Sequence, residues 1–421
     1  MSFTSWLKNW RRPASGSRRH SPRRRRPDYG PPVEALECRT LLTAYAAATA
    51  AQLVADINAA NKSGGTNTIT LTAPTTSPYV LSAVNNATDG PTVLPVIKKA
   101  DNLTIVTGNG STNPGFGDTI DAGRAGRLFD VAAGASLTIK NVTLQNGSVF
   151  GSGTSAEGGA IYNQGTLVLN GVMVQGNTAN GFTGTTFQKS KLGGAGQDAA
   201  GGGIWSNGSL RLENGTVIQN NTALGGDGGQ TQVGTGPGGK AFGGGIYIAG
   251  GTADITTTTL GAYSVQFGNK AQGGAGDNTS SNLGGAAYGG AVYVAAGTVA
   301  MSGDTVGTTE FPLTQQTQNV AQGGAVVNGF AAEAGLAYGG GIYVASGSVT
   351  LTGNIIEGNV AGTFFSPLVD YIDGFGGGIF IAPVATVSLD NFTVGNTIDN
   401  SDSSGNRFGP TANIDGKYIL L

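Results

Sequence analysis

The chain of 421 residues is long enough for several compact domains or for one elongated solenoid. Glycine accounts for 74 residues and only 11% of residues are charged, which disfavours long helices and suits short strands joined by turns. Residues 1–44 hold ten Lys and Arg against three Asp and Glu, whereas the remainder holds 13 against 22. The body of the chain is therefore mildly acidic, which excludes a nucleic-acid-binding surface there.

Cysteine and histidine occur once each, as Cys38 and His20, and both lie near the basic N-terminus. An intramolecular disulfide and a cysteine metal cluster are therefore excluded. Catalysis by a Ser-His or Cys-His pair is excluded from the body of the chain. The sequence also lacks a run of about 18 apolar residues, so we predict no transmembrane helix.

The first 35 residues are rich in arginine and proline and offer few apolar side chains to bury. Such a composition predicts a disordered basic tail over residues 1–35. Two interpretations stay open. The tail is either a positively charged leader ahead of an export signal or a segment that binds nucleic acid or an anionic surface.

A short motif follows the tail, and residues 36–44 read LECRTLLTA. This segment resembles the LEPR-XLL motif found near the N-termini of many planctomycete exported or surface proteins. Cys38 stands where the motif has proline, and Thr43 stands where it has serine. The resemblance implies a sorting motif over residues 36–44 and an extracellular or cell-surface location.

A helical pattern appears next, because Leu53, Ile57 and Ala60 are spaced to share one face of a helix. We predict a capping helix within residues 45–66 that covers the open end of a repeat array. Short strand-like pieces bounded by Gly, Asn, Pro or Asp then argue for an all-β region. These pieces are residues 68–71, 79–81, 94–97, 102–106, 119–121, 128–131, 136–139 and 142–144.

One five-residue motif recurs six times between residue 158 and about residue 400. Each copy has two glycines, a small residue, a branched aliphatic and an aromatic, and successive copies start 43, 42, 46, 50 and 37 residues apart. The copies start at Gly158, Gly201, Gly243, Gly289, Gly339 and Gly376. Two further short strands follow each copy, so the period predicts stacked coils of three strands in one β-helix over residues 67–421.

An asparagine closes the third strand of five coils, and an alanine follows two residues later each time. These asparagines are Asn177, Asn221, Asn269, Asn319 and Asn359. In the last copy, Asn396 takes the equivalent place and the alanine is lost. Because equivalent residues stack in a parallel β-helix, we predict a structural ladder of asparagine amides at a turn.

The repeats resemble the Gly-Gly-Ala-Ile and Phe-x-x-Asn repeats of polymorphic membrane proteins, which are bacterial surface β-helix proteins. The first motif matches well, but Val174, Ile218 and Ile356 stand where the second has phenylalanine. The resemblance covers residues 45–421 and implies a single-stranded right-handed parallel β-helix of the pectate-lyase-like type. It also implies an adhesin-like protein of the cell surface.

The aromatic residue of each motif should point out of the coil, because the preceding aliphatic residue points into it. The predicted external ladder is a candidate surface for stacking on sugar rings, or it packs beneath the protein's own loops. Its members are Tyr162, Trp205, Tyr247, Tyr293, Tyr343 and Phe380. The glycine-rich insertions should leave at one corner and form a crest of binding loops or of tolerated insertions.

Residues 193–198 fit one copy of the calcium-binding nonapeptide core, with Asp198 as the candidate ligand. That motif works in tandem, so a single copy does not establish a calcium site.

We predict no catalytic residues and no cofactor. The leading hypothesis is a monomeric structural or adhesive protein that binds extracellular polysaccharide or another cell surface. The alternative is a lyase or glycoside hydrolase for acidic polysaccharide, which would need clustered carboxylates.

Overall fold

The computed structural model describes residues 43–421, apart from 112–116, 152–154, 187–191, 263–266, 278–283, 309–316, 328–333, 363–373 and 403–409. These residues belong to one compact unit, Thr40–Leu421. The basic tail and most of the LEPR-XLL-like motif lie outside the described residues. The chain forms a parallel β-helix, as predicted, because every pair of neighbouring strands in its main sheets is parallel and joins one coil to the next.

The longest sheet, sheet I, has 11 strands. Its strands are Thr43–Ala47, Gly65–Leu71, Asp101–Thr107, Ser136–Lys140, Thr166–Asn170, Ser209–Glu213, Thr252–Thr256, Thr298–Ser302, Ser348–Thr352, Thr386–Leu389 and Ile419–Leu420. Sheet II has nine strands and follows sheet I in each coil. Its strands are Tyr79–Val80, Thr119–Asp121, Thr143–Gln145, Met173–Gln175, Val217–Gln219, Thr259–Leu260, Thr305–Gly307, Ile355–Glu357 and Thr397–Ile398.

Sheet III begins after the asparagine turn of each coil. Its seven strands are Ser148–Phe150, Thr178–Asn180, Thr222–Leu224, Lys270–Gln272, Val320–Gln322, Val360–Ala361 and Ser401–Asp402. The glycine-rich insertion follows, and the chain returns through the six short strands of sheet IV. These are Ala156–Glu157, Ala199–Ala200, Ala241–Phe242, Ala287–Tyr288, Ala337–Tyr338 and Gly374–Phe375.

Sheet V carries the motif's aliphatic and aromatic residues and completes the coil. Its eight strands are Phe129–Val131, Ile161–Asn163, Ile204–Ser206, Ile246–Ile248, Val292–Val294, Ile342–Val344, Ile379–Ile381 and Ile414–Asp415. A two-stranded sheet joins Gly276–Asp277 to Val326–Val327. The prediction of three strands per coil was wrong, because it missed the strands of sheets III and IV. These strands are too short to show a hydrophobic period in the sequence.

Three helices accompany the strands: α1 (Ala50–Ser63), α2 (Asn391–Gly395) and α3 (Pro410–Asn413). Helix α1 buries Leu53, Ile57 and Ala60 in the main core. It begins later than residue 45 because Thr43–Ala47 is a strand that pairs with Gly65–Leu71. Predicted piece 94–97 makes only an isolated bridge, between Ile97 and Val131.

The interior changes in side-chain size across the coil. Sheets I, II and V enclose leucine, isoleucine and valine, including the fully buried column Ile161, Ile204, Ile246, Val292, Ile342 and Ile379. Sheets III and IV enclose almost only alanine, in a second core of Val149, Ala156, Ala179, Ala199, Ala223, Ala241, Ala271, Ala287, Ala321, Ala337 and Ala361. Because alanine side chains are small, sheets III and IV lie close together. We call the thin part of the molecule that these two sheets begin the fin.

The two glycines of each motif serve different purposes where sheet IV turns into sheet V. The first has φ between +58° and +64° in all six copies, a region that other residues rarely adopt. The second has ordinary φ but no room for a side chain. A Cβ on Gly202 would lie 2.3 Å from the main-chain carbon of Thr222 in sheet III. The motif glycines therefore set both the direction of the turn and the narrowness of the fin.

Candidate functional site

The predicted aromatic ladder forms one row on the outer face of sheet V. Its rings stack nearly parallel from coil to coil, with centroid separations of 5.0 Å for Tyr247 and Tyr293, 5.1 Å for Tyr293 and Tyr343, and 5.2 Å for Tyr343 and Phe380. Tyr162 and Trp205 stack at 4.4 Å, and each is only 8% exposed. The row is continuous because its residues are in register on neighbouring strands.

A second aromatic row, on the outer face of sheet IV, was missed by the sequence analysis. Its members are Phe242, Tyr288, Tyr338 and Phe375. They stack at 5.2 to 5.3 Å and meet the first row edge to face, as Tyr288 meets Tyr343 at 5.0 Å. The signal was present in the sequence, since an aromatic residue directly precedes the glycine pair in four of the six copies.

These two rows, which we call the aromatic strip, lie where the fin meets the body. Tyr288, Tyr293, Tyr338 and Tyr343 each stack on two rings at 5.0 to 5.3 Å, so both of their faces are covered. Arg127 covers Tyr162, with its guanidinium centre 5.0 Å from the ring. Stacking on a sugar needs a free ring face, and the stacked rings leave mainly edges and phenol groups at the surface. Burial raises the pKa of Tyr288 to about 12, so its hydroxyl stays neutral. The geometry favours a stabilising role for the strip.

Removing one ring from the strip should destabilise the fold. Tyr293 stacks on Tyr247 and Tyr343 and meets Phe242 edge to face at 5.1 Å. We expect Tyr293→Ala to lower the free energy of unfolding by about 2–4 kcal/mol, because it leaves a cavity and removes several ring pairs. Tyr293→Phe keeps the ring and should cost less than about 0.5 kcal/mol. Urea unfolding of both variants measures this, and equal stabilities would contradict the account.

The five predicted asparagines form one buried column between sheets II and III, and each is 0% exposed. Asn269 illustrates the pattern, since its side-chain Nδ2 donates to Asn319 Oδ1 at 3.1 Å and to the Ile218 carbonyl at 2.8 Å. Asn359 continues the column to Asn400, at 2.9 Å. The prediction that Asn396 ends the column was wrong, because that residue lies at the end of helix α2 instead.

A second polar column occupies the turn between sheets I and II and includes Thr258, Asp304 and Asn354. Asp304 Oδ1 accepts from the Thr258 amide at 2.7 Å, and the Asp304 amide donates to Asn354 Oδ1 at 2.9 Å. The other carboxyl oxygen, Oδ2, is buried without a hydrogen-bond partner. Burial is the main cause that raises the pKa of Asp304 to about 7, with the charge of Asp254 adding to it.

The raised pKa of Asp304 predicts an unusual pH dependence of stability. The folded protein keeps a proton that the unfolded chain releases near pH 4, so the free energy of unfolding should fall as pH rises from about 4 to 7. Asp304→Asn supplies an amide donor and cannot ionise. We expect this variant to lack the fall in stability that Asp304 causes between pH 4 and 7. It should be more stable than wild type at pH 8 by about 2–4 kcal/mol. Unfolding curves from pH 4 to 8 test this, and a wild-type component that persists in the variant would refute it.

The glycine-rich insertions leave between sheets III and IV, and their described parts continue the fin outward. Gly226 and Gly229 donate to the carbonyls of Gln197 and Gly194, both at 2.8 Å. From one bond to the next, the donor moves forward by three residues and the acceptor moves back by three. Three residues is the period of a polyproline II helix. That helix has no internal hydrogen bonds, so its amides are free to bind neighbouring segments.

Outgoing and returning segments alternate along the fin and are joined by main-chain hydrogen bonds. The amides of Gly239, Gly274, Gly285, Gly324 and Gly335 donate to the carbonyls of Gly226, Gly239, Gly274, Gly285 and Gly324, respectively. A Cβ at Gly226, Gly274 or Gly324 would lie 2.1, 2.0 or 1.9 Å from the carbonyl oxygen one coil away. We call this layer the glycine wall, and its packing leaves no room for side chains at these positions.

The glycine wall also accounts for the segment that resembled a calcium-binding core. Gly193–Gln197 forms a returning segment of the wall, and Asp198 Oδ1 accepts from the Lys240 amide at 2.7 Å. In the described part of the chain, His, Cys, Asp and Glu side chains do not gather in groups of three that could hold a metal ion.

One buried arginine, Arg127, is acted on by the charges of three carboxylates, and sequence reasoning did not find it. The charges of Asp89, Asp130 and Glu157 all act on Arg127, which is only 1% exposed. Asp130 is 0% exposed, and neither of its oxygens has a hydrogen-bond partner. Arg127 and these acids lie on a hairpin and on two successive coils. They are therefore far apart in sequence and form no local motif.

The acids on the outer strands serve local structure. Glu213 pairs with Arg211 at 2.8 Å on the outer face of sheet I, and Asp254 lies 3.9 Å from the same guanidinium. Asp390 accepts from the Thr393 amide at 2.8 Å and begins helix α2.

The helices that the structure describes are all too short or too polar to cross a membrane. Comparison with protein-family models, curated proteins and solved structures found no match.

Proposed function

We propose that the protein is an exported or cell-surface scaffold with a structural or adhesive role. The observation that carries this proposal is the glycine wall, in which regular main-chain hydrogen bonds extend each coil into a fin. The wall holds the described parts of successive insertions side by side, so it presents one aligned outer edge. Loops on a rigid scaffold are common binding elements. The LEPR-XLL-like motif at residues 36–44 supports export.

The partner in this proposal is an extracellular polysaccharide or another cell surface. The aromatic strip argues against stacking of sugars on its closely packed ring faces, so we infer that the outer edge of the glycine wall is the contact surface. The alternative, cleavage of an acidic polysaccharide, needs two carboxylates that reach the substrate. Asp130 and Glu157 both act on Arg127, but Asp130 is fully buried, and Arg127 donates from Nε, Nη1 and Nη2 to main-chain carbonyls.

A binding experiment with a matched cleavage assay tests the proposal. The full chain is applied to a glycan array and to cells, and acidic polysaccharides are incubated with it and assayed for new chain ends. We expect binding without cleavage. Cleavage by the wild type that is lost in Glu157→Gln, with no binding partner on the array or on cells, would overturn the proposal in favour of an enzyme.

A further inference from the structure

A hairpin lies against Arg127, the residue that covers the first ring of the aromatic strip. Within residues 85–92, Asn86 and Thr92 exchange main-chain hydrogen bonds at 2.9 and 3.1 Å. The second strand of the hairpin is held by main-chain bonds, since the Arg127 amide donates to the Pro91 carbonyl at 2.9 Å and the Val93 amide donates to the Arg127 carbonyl at 2.8 Å. The tip is held by the Arg127 side chain, whose Nη1 donates to the Asp89 carbonyl at 2.9 Å. The same side chain donates from Nη2 to the Glu157 carbonyl at 2.7 Å. Arg127 therefore ties the hairpin to the next coil.

The hairpin closes directly over the guanidinium. Gly90 has φ +109°, and a Cβ there would lie 3.4 Å from Arg127 Nη2. The guanidinium centre also lies over the Tyr162 ring, 5.0 Å from its centroid. Arg127 is thus enclosed between the hairpin and the first ring, and its hydrogen bonds to carbonyls replace the water that it loses on burial.

Asp130 lies beside this arginine but does not bond to it. Asp130 occupies the position in register with Tyr162, so it continues the aromatic row by one coil. The charged groups that act on Asp130 are Arg127 from its own segment and Asp89 from the hairpin, while Glu157 acts on Arg127 from the next coil. None of them satisfies the Asp130 oxygens, which are buried and unbonded.

We propose that Arg127 and Asp130 form a pH-controlled lock, in which protonated Asp130 keeps the hairpin closed and ionised Asp130 withdraws Arg127 from the Asp89 carbonyl. A buried carboxylate without donors is unfavourable, and a guanidinium is the strongest donor group nearby. The carbonyls of Glu157 and Gly158 belong to the packed turn between sheets IV and V. The Asp89 carbonyl belongs to the tip of the hairpin, outside the main-chain bonds that hold Pro91 and Val93 to the coil. In the proposed open state the outer strand separates from Thr92 while Thr92 itself stays bridged to Arg127.

The chemistry of the group sets the pH at which the lock acts. Burial is the main cause that raises the pKa of Asp130 to about 6, and the Asp89 charge adds to it. The folded protein holds the proton below that pH and loses it above. The hairpin should therefore be closed at pH 5 and open more often at pH 8.

Hydrogen exchange of the full chain tests the lock. Rates are corrected for the intrinsic effect of pH, and the amides of Asn86 and Thr92 are compared with those of Ile246 and Val292 in sheet V. We expect the corrected exchange of the hairpin to be at least about tenfold faster at pH 8 than at pH 5, since one pH unit beyond the pKa changes the ionisation ratio tenfold. In Asp304→Asn, which lacks the loss of global stability that ionised Asp304 causes in the wild type, the amides of sheet V should show no such change.

Two variants separate the lock from general pH effects. Asp130→Asn cannot ionise, so its hairpin should show equal corrected exchange at both pH values. Asp304→Asn removes a different buried acid and should leave the pH effect on the hairpin intact. A wild-type hairpin with equal corrected exchange at pH 5 and pH 8 would overturn the proposal, and this result needs no variant. A pH effect that survives in folded Asp130→Asn would overturn it as well.

Discussion

Replacing Gly244 by alanine should prevent stable folding of the central coils. A Cβ at this position would lie 2.3 Å from the Lys270 main-chain carbon, 2.5 Å from its nitrogen and 2.4 Å from the Gly290 carbonyl oxygen. All three atoms belong to the main chain, so a side-chain rotation cannot relieve the overlap. Sheets III and V must separate, which should cost at least about 4 kcal/mol.

Gly395→Ala is the matched control for this prediction. Gly395 lies at the end of helix α2, and a Cβ there meets no atom within 4 Å. Alanine has the higher helix propensity, so the change should be neutral or stabilising by up to about 1 kcal/mol. Thermal and urea unfolding compare the two variants. If Gly244→Ala is as stable as Gly395→Ala, sheets III and V do not approach as closely as the structure has them.

Replacing Asn269 by alanine should also strongly destabilise the protein. The Asn269 side chain accepts from the Asn221 amide nitrogen at 3.0 Å and donates to the Ile218 carbonyl and to Asn319. Its removal leaves at least three polar groups buried without partners. Each unsatisfied group costs about 1–3 kcal/mol, so we expect a loss of about 3–6 kcal/mol.

An asparagine outside the column provides the comparison. Asn396 donates to the Phe392 carbonyl at 2.8 Å at an exposed site, and Asn396→Ala should cost less than about 1 kcal/mol. Both variants are measured by urea unfolding at pH 7. Similar losses for Asn269→Ala and Asn396→Ala would mean that the buried column contributes no more than one ordinary exposed hydrogen bond.

The sequence predicted those parts of the fold in which identical residues repeat in register. The motif aliphatics and the asparagines recur at fixed places, so their columns could be read from spacing alone. The second aromatic row was missed because Glu157 and Ala200 occupy its first two places. Trp205 packs against Ala200 and Tyr162 there, so a large ring in one row compensates for a small residue in the other.

The remaining features depend on contacts that leave little trace in sequence. Consecutive glycines carry no pattern of side chains, so from sequence the glycine-rich insertions could equally have been irregular. The hydrogen bonds of Arg127 join residues 30 to 38 positions apart, and no motif connects them. Asp304 occupies a column position where Thr258 precedes it and Asn354 follows, so nothing in the sequence distinguished it from an exposed acid.

Hydrogen exchange of the glycine wall tests the central claim most directly. The amides of Gly226, Gly239, Gly274 and Gly285 each donate to a main-chain carbonyl at 2.8 to 2.9 Å. If the wall is an ordered extension of the coils, these amides should exchange only through openings nearly as rare as those of sheet V. Exchange at the rate of an unstructured glycine segment would contradict the account, because the insertions would then be flexible loops without a wall beneath them.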